Sequence, residues 1–364
     1  MITKAYSKII DELIRQNRSF AIWRVPGDET IHFRMQSSGS ACLLNRIEEL
    51  NGRNGFVIAP FHISPAHPIV LIQPDCFTLP DVLPEAEHPQ QTDRTASSAK
   101  DLLSAEEEKN IYADRFAAFT TPLLKGIQDK LVLSRKHVIS CEEHFSPGRT
   151  FEAAVERYIY SYVYLCHTPQ LGTWMGSSPE ILLAGKEGQW QTVALAGTQP
   201  ICNGRIPQQW DDKNWREQQL VAFYIRRQLG SLGITPEERG PYAIRAGEVS
   251  HLKSDFRFQL SDNRTLGNLL SLLHPTPAVC GLPKEEAYRF ILEQEGYDRS
   301  YYSGFIGELD LEGKTDLYVN LRCMQIEANT CTLFAGGGLL ASSVMESEWQ
   351  ETNDKLETMG RLLH

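Results

Sequence analysis

The chain lacks several features that would assign its class directly. Over 364 residues it has no dense run of Lys and Arg, and its net charge is −10. These facts argue against a general affinity for nucleic acid, because phosphate contacts need clustered cations. No stretch approaches the roughly 20 apolar residues that cross a bilayer, and the N-terminus lacks the apolar core and cleavage site of a signal peptide. We expect a cytoplasmic protein with no nucleic-acid or membrane partner.

The eight cysteines also lack a diagnostic pattern. They form no CxxC pair and no zinc-type spacing. Eight cysteines in 364 residues are also too sparse for a small disulfide-stabilised scaffold. We predict that they are buried, reduced thiols.

What the chain does have is the composition of an ordinary globular protein, with 41% apolar and 23% charged residues. The first 20 residues, MITKAYSKIIDELIRQNRSF, have an amphipathic helix pattern, and four short strand-like runs follow: FAIWRVPG, IHFRM, GFVIAPF and PIVLIQPD. Residues 79–99 are rich in Pro, Glu, Gln, Ser and Thr, which indicates a linker or an exposed loop.

From residue 104 onward, helical and strand-like stretches alternate. The patterns predict helices at 104–128 and 151–166, and strands at 130–135, 173–185, 317–327 and 331–338. Short turns join several of the strands, which favours antiparallel pairing. The sequence therefore predicts an α+β fold.

Three charged residues near the C-terminus share a helical stripe. Glu348, Glu351 and Lys355 are spaced i, i+3 and i+7, and an exposed stripe with one ion pair is the commoner explanation of this pattern. In an earlier helix, Glu217 comes just before an apolar face and could equally be a surface carboxylate. Spacing decides neither case.

Two residues have the chemistry of an acid–base pair if they are buried. Lys130 starts the strand KLVLSR, where a lysine usually reaches water, but burial would lower its pKa and make it a candidate general base. Glu180 follows a proline in a mostly apolar stretch, where burial would raise its pKa and suit it to donate a proton. An exposed position is the commoner alternative for both.

Two further features could bind an anion. Arg322 lies inside an apolar run predicted to be a strand, and a buried guanidinium needs an anionic partner, either a substrate carboxylate or an internal Asp or Glu. The glycines at 336–338 would let the backbone approach a ligand, although the run lacks the spacing and the lysine of a phosphate loop.

The order of these features resembles the chorismate-utilising family, which includes isochorismate, salicylate, anthranilate and aminodeoxychorismate synthases. The resemblance runs from about residue 104 to the C-terminus. Its blocks are KLVLSR (130–135), GSSPEILL (176–183), LAGTQP (195–200), DKNWREQQLV (212–221), HPTPAVCGLP (274–283), YDRSYYSGFIG (297–307), LYVNLRC (317–323), LFAGGG (333–338) and SEWQETNDKLETM (347–359).

The resemblance implies a fold of large antiparallel sheets flanked by helices, with the active site in a central cleft. It also implies a β-rich N-terminal layer and linker over residues 1–99, and a catalytic domain over residues 100–364. We expect an isochorismate synthase that takes chorismate as substrate and Mg²⁺ as cofactor, and that acts as a monomer. Its product would serve menaquinone or siderophore synthesis, and family likeness favours menaquinone.

The resemblance also implies a role for each matching residue. Lys130 resembles the base that activates water, where ammonia-using members often have Gln, and Glu180 resembles the acid that protonates the departing 4-hydroxyl. Glu217 and Glu351 resemble Mg²⁺ ligands, with Glu348 close by. The residues that resemble holders of the substrate carboxylates are Gly197, Thr198, Arg322, Gly336 and Lys355, and His274 resembles a residue that lines the pocket.

Two departures and three alternatives stay open at this point. Gln218 and Gln199 stand where the family often has His and Arg, which affects the detail around the site more than the reaction. A salicylate synthase would share the same blocks and go on to eliminate pyruvate. Anthranilate synthase component I is disfavoured by Lys130. A non-catalytic homologue is disfavoured because base, acid and metal carboxylates are all present.

Overall fold

The computed structural model describes residues 6–80, 102–142, 144–201, 205–246, 249–260 and 262–363. No helix in these ranges combines the length and the apolar character that crossing a bilayer requires. The described α-helices are α1 (Ser7–Arg15), α2 (Ala105–Leu124), α3 (Pro147–Arg157), α4 (Asp212–Ser231), α5 (Leu266–Leu273), α6 (Lys284–Gln294) and α7 (Met345–Gly360). The described strands are β1 (Ser19–Arg24), β2 (His32–Gln36), β3 (Cys42–Leu44), β4 (Gly55–Ala59), β5 (Ile69–Ile72), β6 (Lys130–Ser140), β7 (Tyr162–Thr168), β8 (Gly172–Ser178), β9 (Ile181–Lys186), β10 (Gln189–Pro200), β11 (Glu237–Ala246), β12 (Val249–Gln259), β13 (Gly281–Leu282), β14 (Phe305–Leu309), β15 (Lys314–Val319), β16 (Cys323–Ile326) and β17 (Thr330–Leu339).

The strands form two large sheets. The first sheet has eight strands in the order β13-β6-β17-β16-β8-β7-β1-β2, and the second has nine in the order β11-β12-β10-β9-β15-β14-β4-β5-β3. The paired strands run antiparallel throughout the described part of both sheets. This architecture confirms the α+β fold with large antiparallel sheets.

The N-terminal strands extend both sheets. In the first sheet β1 pairs with β7, with Ala21 opposite Cys166. In the second sheet β4 pairs with β14, with Ile58 opposite Ile306. The predicted boundary between residues 99 and 100, and most of the predicted linker at 79–99, lie outside the described residues.

An aromatic core joins the two sheets. Trp23 and Trp174 of the first sheet belong to the same buried cluster as Phe56 and Tyr318 of the second. Helices cover the outer faces. Side chains of α1, α3 and α7 pack on the first sheet, and those of α4 and α5 pack on the second. Burial of so much apolar surface is the main stabilising contribution to this arrangement.

The predicted helix at 151–166 is wrong in its second half. The helix α3 ends at Arg157, and residues 162–168 form β7, which is buried along its whole length. The segment is rich in tyrosine and contains valine, and such side chains pack well on a pleated sheet. Pairing with β1 and β8 on both sides therefore outweighs the helical pattern.

Two predicted single strands are in fact pairs of strands that belong to different sheets. Residues 173–185 divide into β8 in the first sheet and β9 in the second, and residues 317–327 divide into β15 in the second sheet and β16 in the first. Pro179 has no N–H to continue a ladder. Arg322 has a φ of +47°, a left-handed conformation that breaks a strand. Glu180 and Arg322 therefore lie where the chain crosses between sheets.

Candidate active site

The two crossings are adjacent, and a cavity opens beside them. The backbone N–H of Ser177 donates to the Arg322 carbonyl at 3.0 Å, and that of Val319 donates to the Glu180 carbonyl at 2.9 Å. The side chains of Glu180 and Arg322 both line the cavity, whose water-accessible space is about 50 Å³.

Glu180 is a buried carboxyl group, only 2% exposed. The Thr276 hydroxyl donates to its Oε1 at 3.4 Å. Burial raises the pKa of Glu180 to about 8, although the nearby positive charges of Lys130 and Arg322 oppose the rise. The group is therefore protonated at neutral pH, as expected for a buried carboxyl at this position.

Arg322 is held by a histidine that the sequence did not single out. The Arg322 Nη2 lies 2.7 Å from the His251 Nε2, and the His251 Nδ1 lies 2.9 Å from the Gly197 carbonyl oxygen. Burial, followed by the charge of Arg322, keeps the pKa of His251 well below its ordinary value. The neutral ring accepts from Arg322 and donates to Gly197, because each contact requires that role. The strand pattern around His251 held no signal for this contact.

A bulge in β10 brings Gly197 and Thr198 to the cavity. The register between β10 and β12 shifts between Ala196 and Thr198, and Gly197 has a φ of +76°. A Cβ at Gly197 would lie 2.9 Å from the Asn214 carbonyl oxygen, so glycine is required for the approach of α4. The N–H of Thr198 donates to the Asn214 side-chain oxygen at 2.8 Å, which fixes the bulge.

Lys130 is fully buried, with 0% exposure. Its Nζ lies 2.9 Å from the Glu217 Oε1, and Glu217 lines the cavity. Both side chains lie over Gly338 of β17, where an added Cβ would be 2.1 Å from the Glu217 Oε1 and 2.8 Å from the Lys130 Cε. Lys130 therefore does not reach water, and the glycine run makes room for this ion pair.

The charged stripe of α7 faces inward rather than toward solvent. Lys355 Nζ donates to the Gly336 carbonyl at 2.8 Å and to the Glu351 Oε1 at 2.5 Å. Glu348 is 2% exposed, and its Oε1 accepts from Lys213 Nζ at 2.7 Å. An exposed stripe is thus excluded.

The two carboxylates of α7 differ in their ionisation. Burial would raise the pKa of Glu351, but the charges of Lys355 and Lys213 outweigh it and lower the pKa to about 2. Burial, together with the negative charge of Glu351, raises the pKa of Glu348. Neighbouring positive charge therefore stabilises the ionised form of Glu351 more fully than that of Glu348.

The Glu348–Glu351 pair fits a magnesium ion. Glu348 Oε2 is buried without a hydrogen-bond partner. A Cβ at Gly337 would lie 3.4 Å from this atom and 3.3 Å from the Glu351 Oε1, so the bare backbone leaves space beside both. Mg²⁺ uses one or two carboxylates together with substrate oxygens and water. In the described residues no three His, Cys, Asp or Glu side chains are grouped to hold a metal, so the three expected ligands, Glu217, Glu351 and Glu348, all stay predictions.

Arg135 positions α7 and was also missed. It lies on β6, and its guanidinium donates to the Thr352 Oγ1 at 2.8 Å, to Glu108 of α2 at 2.8 Å and to the Asn353 side chain. Its Cζ lies 4.0 Å from the centre of the Trp349 ring. The sequence did offer one signal for this role. Arg135 ends the apolar run KLVLSR, where an arginine is open to burial, and a buried arginine needs partners.

His274 is not among the residues that line the cavity. Its Nε2 lies 3.2 Å from the Pro60 carbonyl oxygen, and its ring packs on Phe305. Thr276, two residues further on, makes the contact with Glu180 instead. A pocket role for His274 therefore stays a prediction.

A carboxyl with a raised pKa and two cations, Arg322 and Lys355, line one cavity, an arrangement suited to acid–base chemistry on an anionic molecule. The family model described as "Chorismate binding enzyme" matches residues 56–364. The chain belongs to this family.

Known relatives agree with the family. Isochorismate synthase DhbC of Bacillus subtilis is 33% identical over 260 residues, which are 65% of this chain and 64% of that protein. The match therefore spans less than two thirds of that relative. The solved structure of MenF, the menaquinone-specific isochorismate synthase from Escherichia coli, covers 100% of this chain and 92% of its own, with a TM-score of 0.77 at 21% identity. A 2,3-dihydroxybenzoate-specific isochorismate synthase structure from Bacillus anthracis covers 97% of this chain and 99% of its own, with a TM-score of 0.75 at 22% identity.

Proposed function

We propose that the protein is a Mg²⁺-dependent isochorismate synthase. It converts chorismate to isochorismate by adding water at C2 while the hydroxyl at C4 leaves. The observation that carries the proposal is that the buried carboxyl of Glu180 lines the cavity, while the buried amine of Lys130 is held by Glu217, another residue of the cavity lining.

Glu180 is the general acid in this proposal. Because its pKa is raised to about 8, the carboxyl holds a proton at neutral pH and can give it to the oxygen that leaves C4. A carboxyl with an ordinary pKa would already be ionised.

Lys130 is the general base. The amine removes a proton from the water molecule as that water attacks C2, once it has given up the proton that it holds in the ion pair with Glu217. Glu217, at 2.9 Å from Nζ, fixes the direction of the side chain. Full burial keeps bulk water away from the amine.

Two cations are placed to hold the carboxylates of chorismate. Arg322 lines the cavity, and its contact with His251 fixes the guanidinium. Burial lowers the pKa of Arg322 to about 10, which leaves it charged at neutral pH. Lys355 lines the same cavity. These charges allow a protein with a net charge of −10 to bind a dianion.

Mg²⁺ bound by Glu348 and Glu351, with Glu217 as the further proposed ligand, would supply positive charge to orient a substrate carboxylate. The unpartnered Glu348 Oε2 supports this part of the proposal. Titration of the protein with Mn²⁺, followed by electron paramagnetic resonance, tests it. Glu348→Gln should weaken binding at least tenfold, whereas Glu346→Gln, an exposed neighbour on α7, should not.

Product analysis tests the reaction. The protein is incubated with chorismate and Mg²⁺, and the products are separated by chromatography. Isochorismate as the main product supports the proposal. Salicylate together with pyruvate would instead indicate a salicylate synthase, and anthranilate formed with added ammonia would indicate the ammonia-using branch.

We further propose that the isochorismate serves menaquinone synthesis and that the protein is a cytoplasmic monomer. The first point extends the family likeness, which covers menaquinone-specific and 2,3-dihydroxybenzoate-specific enzymes alike, so a gene deletion has to decide between them. Deletion of the gene should then remove menaquinone and leave catechol siderophores unchanged. Light scattering after size-exclusion chromatography should give the mass of one 41.2 kDa chain.

A further inference from the structure

Two cysteines meet at one end of the first sheet, far along the strands from the cavity. Cys331 is the second residue of β17, and Cys141 directly follows β6, which pairs with β17. The two Sγ atoms are 3.0 Å apart. Both side chains are free thiols. No other role assigned to the chain uses either of them.

We infer that Cys141 and Cys331 form a site of reversible thiol oxidation, at which they join in an intramolecular disulfide. This inference does not depend on the proposed function. It departs from the expectation that the cysteines are buried, reduced thiols, because Cys141 is only partly buried.

The two thiols are unequal in a way that fits the reaction. The two sulfurs share a hydrogen bond in which either thiol can donate, and this contact with Cys331 lowers the pKa of Cys141. The same contact, together with burial, raises the pKa of Cys331. Since the thiolate is the nucleophile, the accessible Cys141 reacts first.

The reaction requires an oxidant, and we take this to be a low-molecular-weight disulfide such as oxidised glutathione. The Cys141 thiolate attacks one sulfur of the oxidant, which forms a mixed disulfide and releases one thiolate. Cys331 then loses its proton and attacks the Cys141 sulfur, which expels the second thiolate. The protein loses two electrons and two protons, and the oxidant leaves as two thiols.

The backbone around the pair is already fixed for the bond. The N–H of Cys141 donates to the Asn329 carbonyl at 2.8 Å, and Cys331 lies opposite Ile139 in the strand ladder. The side chains can therefore join with little movement of the strands. Lys130 and Gly338 lie at the other end of the same two strands, so the bond should not disturb the cavity.

Two other thiols provide matched controls. Cys42 and Cys76 are also partly buried, but their sulfur atoms contact other groups: Cys42 accepts from Arg53 at 3.7 Å, and Cys76 donates to the Thr78 carbonyl at 3.2 Å. Glutathione can modify both cysteines. In the described part of the chain, however, neither has a second thiol beside it to complete an intramolecular disulfide.

The experiment equilibrates the full chain in buffers of increasing ratio of oxidised to reduced glutathione. Free thiols are then blocked with iodoacetamide, and non-reduced peptides are identified by mass spectrometry. A peptide linking Cys141 to Cys331 should appear, and it should disappear on addition of dithiothreitol. The oxidised protein should melt roughly 3–8 °C higher, since the bond closes a long loop.

Variants separate the two steps. In Cys331→Ser, Cys141 should accumulate as the glutathione adduct. In Cys141→Ser, Cys331 should stay unmodified because it is buried. Cys42→Ser should form the cross-link as the unaltered chain does. The inference is overturned if the unaltered chain carries only the Cys141 adduct, if Cys141 stays unmodified, or if cross-links to Cys42 or Cys76 are as abundant.

Discussion

Glu180 and Arg322 lie at neighbouring crossings of the chain between the two sheets, although they are far apart in the sequence. The backbone contacts Ser177 to Arg322 and Val319 to Glu180 hold the crossings together. As a result, the candidate acid and the candidate carboxylate-binding cation face one cavity from rigid strand ends. Strand ends position side chains more firmly than free loops do.

The pKa of Glu180 predicts how activity depends on pH. The carboxyl is protonated below a pKa of about 8 and ionised above it, so an acid in this role works below that value and fails as the pH rises through it. We expect kcat/KM to fall above about pH 8. Glu180→Gln should lower kcat by about 10²–10⁴-fold and abolish this limb of the profile. An unchanged profile in the variant would contradict the assignment.

Substitution of Lys130 tests the base. Lys130→Ala should lower isochorismate formation by at least about 10²-fold, because the variant lacks the proposed proton acceptor. Circular dichroism should show that the fold is retained. Lys130→Met, which keeps most of the volume, should lose activity equally. Near-normal turnover in either variant would rule out Lys130 as the base.

A matched control for Lys130 is Lys109→Ala. Lys109 also pairs with a glutamate, Glu346, but on the surface, where both side chains are well exposed. We expect it to change neither turnover nor stability measurably, since exposed ion pairs contribute little.

Gly338 tests the space beneath the ion pair. In Gly338→Ala the new Cβ would lie 2.1 Å from the Glu217 Oε1, so Glu217 must move, and we expect a loss of about 1–3 kcal/mol in the free energy of unfolding together with loss of activity. Gly230→Ala is the comparison. Gly230 lies in α4 with no atom within 4 Å of an added Cβ, and alanine there should stabilise by about 0.5 kcal/mol. Urea unfolding curves measure both.

Arg135 is expected to be important for stability. Arg135→Ala removes the contact to Thr352 and leaves the largely buried Glu108 with the contact to His137, so we expect a loss of about 3 kcal/mol in the free energy of unfolding. Arg361→Ala breaks an exposed pair with Glu357 and should change stability by less than about 0.5 kcal/mol. Equal effects of the two substitutions on thermal unfolding would refute the role of Arg135 in holding α7.

Some of this site was predictable because the chemistry of a side chain is local. The ordered blocks identified Lys130, Glu180 and Arg322 from their residue types and neighbours. The strand boundaries were not predictable to the same degree. The runs 173–185 and 317–327 read as single strands because an apolar pattern continues across each crossing, and only pairing with distant strands divides them.

The sequence by itself determined the family, the α+β class, the antiparallel sheets and the order of the chemically competent residues, since these depend on residue type and short-range pattern. The tertiary structure decided which of them are buried and what they contact. In the folded chain the charged stripe of α7 faces inward, and Lys130 pairs with Glu217 above Gly338. His251 and Arg135 find their hydrogen-bond partners there as well. Burial and ion pairing depend on strands that are remote in the chain, and no local pattern encodes them.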